Sequence, residues 1–102
     1  MKDRLMKMNR NNKSIMLRAL TADYKDLKAA GRDLRGVVDL VCHIDATENE
    51  RLFLSDEEYH LMRDSLNRLR NQRIATGGYT DATDDALLKL IKAKPPMLPL
   101  FR

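Results

Sequence analysis

Few side chains in this sequence stand at spacings that chemistry requires. Glu57 and His60, within Glu57-Glu58-Tyr59-His60, fall three apart on one helix face, the Glu-x-x-His spacing with which helical bundles hold a pair of iron ions. Such a centre needs a second Glu-x-x-His and two further carboxylates, but the only other histidine, His43, is preceded three positions earlier by Leu40. A solvated helix start carrying a surface histidine explains the run without a metal. Cys42 and His43 set a thiol beside a base, yet successive helical side chains point about 100° apart and do not meet, and no third residue orients them. Cys42, close to Val41 and Ile44, is expected to be a small buried hydrophobe. One cysteine and two histidines give no zinc spacing. Thr76-Gly77-Gly78-Tyr79 lacks the lysine and the glycine spacing of a phosphate loop and reads as a helix stop. We expect no catalytic residue, no metal and no cofactor, and hence no enzyme.

The basic side chains rise above that background. Lys2, Arg4, Lys7, Arg10 and Lys13 fall in the first thirteen residues, interleaved with Leu5, Met6 and Met8. Residues 1–13 are read as a flexible basic arm that binds phosphates or docks on an acidic protein or lipid surface; a merely solvated end is the plain alternative. Arg18 follows, and Arg63, Arg70 and Arg73 form a second set, although arginines near a helix C-terminus also complement its dipole.

The formal charge of +4 conceals this division. Residues 1–18 carry six bases against Asp3, residues 19–61 five bases against ten acids, residues 62–78 four against Asp64, and residues 79–102 four against three. Two basic segments therefore flank an acidic one. At 102 residues the chain fits one small domain. One cysteine and no long apolar run argue against a disulfide scaffold and against an integral membrane protein. The N-terminus has no secretory leader pattern, so a cytoplasmic location is expected, with Cys42 a free thiol and the Asn12-Lys13-Ser14 sequon unglycosylated.

The elements that must position these residues are helical. Leu17, Leu20, Tyr24, Leu27, Gly31, Leu34, Val38 and Val41 step by three and four, a seam along a helix over about 14–44 that starts in the polar cluster Asn9–Ser14. Val37, Leu40 and Ile44 widen the seam, and Gly31 or Gly36 can bend the helix. Ser55-Asp56-Glu57-Glu58 is a capping box, with Leu54 placed to staple Tyr59, opening a second helix over about 55–75 that buries Tyr59, Met62, Leu66 and Leu69. Thr83, Asp84 and Asp85 cap a short third helix over about 83–94, ended by Pro95-Pro96. The tail Met97–Phe101 is apolar enough to strap onto the bundle, though Pro96-Met97-Leu98-Pro99 also has the loose PxxP pattern.

The reading is an all-α bundle over residues 14–102, preceded by the arm. A helix of about 45 Å cannot be covered by one of about 30 Å at 1.5 Å per residue. Either the first helix folds back near Gly31 or Gly36, or a second copy completes the seam as a homodimer, which the small core favours. The function expected is a non-catalytic regulator or adaptor that binds a protein partner through Leu17, Leu20, Tyr24, Leu27, Leu34, Val38 and Val41. The alternative is a nucleic-acid-binding regulator that sets Lys2, Arg4, Lys7, Arg10, Lys13, Arg18, Arg63, Arg70 and Arg73 on phosphates; the long connection at 75–83 disfavours a helix-turn-helix.

Overall fold

The computed structural model describes residues 3–93, with the element order β1 (Arg4–Lys7), α1 (Arg10–Ala29), α2 (Arg35–Ala46), β2 (Arg51–Leu54), α3 (Asp56–Ala75) and α4 (Asp81–Ile91). The chain is mostly helical, but the two strands correct the all-α expectation. They also correct the flexible arm. Arg4–Lys7 pairs antiparallel with Arg51–Leu54, from Arg4 opposite Leu54 to Lys7 opposite Arg51, and the Met8 amide donates to the Glu50 carbonyl at 2.9 Å. The physical reason is a period of two: Met6 of β1 and Met8 just after it, with Leu52 and Leu54 of β2, send alternate side chains into the core.

α1 begins at Arg10, four residues before Ser14. Asn9 caps it, since the Asn12 amide donates to Asn9 Oδ1 at 2.8 Å while the Asn9 amide donates to Asn12 Oδ1 at 3.0 Å. The helix expected over 14–44 is two helices. Gly31 takes φ +69°, its amide donates to the Lys28 carbonyl at 3.1 Å, and the Arg32 amide donates to the Leu27 carbonyl at 2.9 Å. This is a Schellman closure, whose left-handed residue is best filled by glycine. Gly36, the other candidate bend, lies within the first turn of α2. The first helix thus folds back, α2 packs on α1, and the seam gains cover from its own chain.

The seam itself is displaced. α1 buries Asn12, Ile15, Met16, Ala19, Leu20 and Asp23. Of the seam residues only Leu20 is central; Leu17, Tyr24, Leu27 and Val41 are half-buried at the edge of the core, Leu34 is half-buried, and Val38 is exposed. Two buried polar residues, Asn12 at one end of the true face and Asp23 at the other, break its apolar count. Asp23 is held by Arg68 of α3, whose Nε donates at 3.1 Å; that hydrogen bond, above all, raises the Arg68 pKa. Cys42, expected inside, is exposed, because α2 turns Val37, Leu40 and Ile44 inward instead.

α3 starts as its capping box requires: the Glu58 amide donates to Ser55 Oγ at 3.2 Å and the Ser55 amide to Glu58 Oε1 at 3.0 Å. Tyr59, Met62, Leu66 and Leu69 are buried. A second Schellman closure ends it at Gly77, φ +75°, with the Gly78 amide donating to the Arg73 carbonyl at 2.7 Å. α4 starts at Asp81, earlier than expected, so Thr83 is not a cap but a buried residue within the helix. Its Ala86, Leu87 and Leu90 close the core against α1 and α3. Lys2, the Pro95-Pro96 stop and the Met97–Phe101 strap lie outside the described residues. No helix among the described residues is long and apolar enough to cross a membrane.

Candidate functional site

The outer face of α1 is the most strongly patterned surface of the protein. Arg10, Ser14, Arg18, Thr21, Lys25 and Lys28 step by four, four, three, four and three, which places them on one helical stripe, and all six are exposed. The stripe carries four cations and no acid. None of the four forms an ion pair among the described residues, while Asp23, the acid of α1 nearest its centre, points into the core and is taken by Arg68. Lys28 Nζ lies 5.9 Å from the Tyr24 ring centroid, beside the stripe.

A cleft of about 520 Å³ opens along this face where α1 meets the last turn of α3 and the first turn of α4, lined by Asn11, Asn12, Ser14, Ile15, Arg18, Arg73, Asp81, Ala82 and Asp85. Its floor is built by Asn12, 1% exposed, whose Nδ2 donates to Asp85 Oδ2 at 2.8 Å and whose Oδ1 accepts from Lys89 Nζ at 3.0 Å. The Asn12 amide bond, with Lys89 adding to it, holds the Asp85 carboxyl below its usual pKa. The cleft brings together Arg18 and Arg73, two phosphate-contact candidates from different helices.

Lys13, Arg4, Arg63 and Arg70 make contacts within the fold. Lys13 Nζ donates to the carbonyls of Asp45 and Thr47, at 3.0 and 2.9 Å, and so caps the end of α2. Arg4 pairs with Asp56 at 3.2 Å and lies 4.3 Å over the Tyr59 ring. Arg63 pairs with Asp64 at 3.2 Å. Arg70 bonds Asp84, whose pKa falls as a result, with Thr80 assisting. Lys7 is exposed on β1. Lys25 and Lys28 are hidden in the sequence by the net acidic charge of residues 19–61, although their spacing from Arg18 sets them on the same helical face.

The other chemical candidates are separated. Glu57 and His60 stand exposed on α3, and among the described residues no group of three or more His, Cys, Asp or Glu could hold a metal. His43 meets Glu58 instead, Nδ1 to Oε2 at 2.8 Å, a contact between α2 and the capping box of α3 that the sequence does not reveal. Cys42 lies with Thr21, Tyr24, Val38 and Val41 around a shallow apolar groove of about 180 Å³ between α1 and α2. No family model matches the chain, and neither a curated protein nor a solved structure shows significant similarity to it.

Proposed function

We propose that the protein is a small non-catalytic regulator that binds the phosphate backbone of a nucleic acid across the outer face of α1. The acid-free stripe from Arg10 to Lys28 carries this reading. The eighteen helical steps from Arg10 to Lys28 span about 27 Å at 1.5 Å per residue. At a rise of 3.4 Å per nucleotide that length faces about eight phosphates of one strand. Unpaired arginines and lysines gain most from such a partner, since contact releases counterions and breaks no internal salt bridge. Backbone contacts of this kind position a strand without reading its sequence.

Fluorescence anisotropy with labelled DNA and RNA tests the reading. Four or five phosphate contacts give a slope for log affinity against log salt of about −4 on a duplex and about −3 on a single strand. Arg10→Glu with Lys25→Glu, both exposed and outside the cleft, should lower affinity more than tenfold and flatten the slope by about 2, with the circular dichroism spectrum unchanged. Affinity indifferent to salt or to this double variant overturns it.

A second reading, the adaptor that binds a protein partner through helix contacts, is favoured by one observation: Tyr24, Val38 and Val41 of the seam line the α1–α2 groove, and Val38 is 40% exposed. The groove suits a single apolar side chain from a partner helix or from a second copy in a homodimer. Val38→Glu should abolish self-association in light scattering under this reading, while leaving nucleic-acid retention intact. Both readings suit the cytoplasm, where Cys42 remains a thiol.

A further inference from the structure

The cleft where α1, α3 and α4 meet has the volume of a small-molecule site, and its charges are not those of a bare phosphate site. Arg18 and Arg73 line it with no ion-pair partner among the described residues. Asp81 lines it too, also outside those pairs, whereas Asp85 is committed to Asn12 and to Lys89 at 3.4 Å. A phosphate alone would use the two guanidinium groups and be repelled by the Asp81 carboxylate. A ligand with an anion at one end and hydrogen-bond donors at the other satisfies all three. A nucleotide is such a ligand, its phosphate on the arginines and a sugar hydroxyl or exocyclic amino group on Asp81.

We infer that this cleft holds one unpaired nucleotide of a single-stranded nucleic acid. Choosing a nucleotide rests on the backbone-binding reading and extends it, because Arg18 belongs to both stripe and cleft. A strand lying along α1 passes the cleft mouth, and only an unpaired nucleotide can turn its base inward, since a duplex holds its base edges against the other strand. Asn11 and Ser14 add an amide and a hydroxyl at the mouth. Among the described residues no aromatic ring lines the cleft, so the stacking surface they offer to a base is a guanidinium plane.

Adenosine 5′-monophosphate titrated into isotope-labelled protein, followed by amide chemical shifts, tests the cleft without a long strand. Saturable shifts at Asn11, Ser14, Arg18 and Ala82 are expected, with the nucleotide binding at least tenfold tighter than inorganic phosphate. Asp81→Ala and Asp81→Asn, exposed substitutions, should reduce nucleotide affinity to that of phosphate. Equal binding of nucleotide and phosphate by the wild type, or no loss in either variant, overturns the inference. A single strand should also outcompete a duplex of equal length at least fivefold, a preference lost in Asp81→Ala. A duplex held as tightly as a single strand overturns the inference and leaves the backbone reading standing; uptake of the nucleotide with retention of neither strand overturns both, because the cleft then takes a free mononucleotide and not part of a strand.

Discussion

The side-chain amide of Asn12 donates to the Asp85 carboxylate at 2.8 Å, tying the first turn of α1 to α4 from inside the protein. The same side chain takes Lys89 and closes the N-cap with Asn9. Asn12→Ala should lower stability by about 2 kcal/mol, because hydrogen bonds to charged partners contribute about 1.5–3 kcal/mol and Asp85 and Lys89 can regain water when released. Urea unfolding measures it. A loss under about 0.5 kcal/mol would show the buried amide to be incidental.

The two glycines of the first helical pair should respond with opposite signs. Gly31→Ala forces a side chain into the left-handed region at φ +69° and should cost about 1–2 kcal/mol. Gly36→Ala adds a Cβ that meets only Leu61 Cδ2, at 3.9 Å, and should gain up to about 1 kcal/mol from helix propensity. Thermal midpoints of the two variants, compared side by side, decide it.

Thr83 and Ser65 each bury a hydroxyl with no hydrogen-bond partner among the described residues. An unsatisfied buried hydroxyl costs about 1–3 kcal/mol. Thr83→Val keeps the branched shape and removes the polar atom, so it should raise stability by about 1 kcal/mol in urea unfolding. A destabilised Thr83→Val would mean that the hydroxyl is satisfied in solution.

Acid should weaken the fold through surface carboxylates on α4 and before α2. Asp33 is held at about 2, mainly by the Arg35 side chain and then by the Arg35 backbone amide, and Asp84 and Asp85 are also lowered from 3.8. Each pKa is depressed in the folded state, so the contribution is present above the unfolded value and is lost as pH falls through the folded one. Thermal midpoints should be level from neutral pH to about 5 and fall below about 4. Asp84→Asn with Asp85→Asn should make that acid limb shallower, and an unchanged limb would refute the assignment.

Local signals were legible in the sequence and distant ones were not. Ser55 and Glu58 specify their own helix start within one turn, and Gly77 its end, so α3 was readable almost to the residue. β1 was invisible because its partner β2 lies across two helices, and a four-residue strand has no periodicity long enough to stand out. The buried face of α1 was misplaced because polar Asn12 and Asp23 stand at its two ends, satisfied by Asp85, Lys89 and Arg68, partners brought near only by the fold. Arg18 and Arg73 were each picked out by charge. Their shared cleft, with Asp81 beside them, depends on how α3 and α4 return to α1.

α4 packs against α1 and touches β1, so the last described helix rests on elements made well before it. During synthesis Met6, Met16 and Leu20 leave the ribosome well before Ala86 and Leu90, which complete the core around them. Until then the apolar side of α1 has cover from α2 and α3 but lacks that of α4, while its basic side already faces solvent. The core is complete only once α4 has been made.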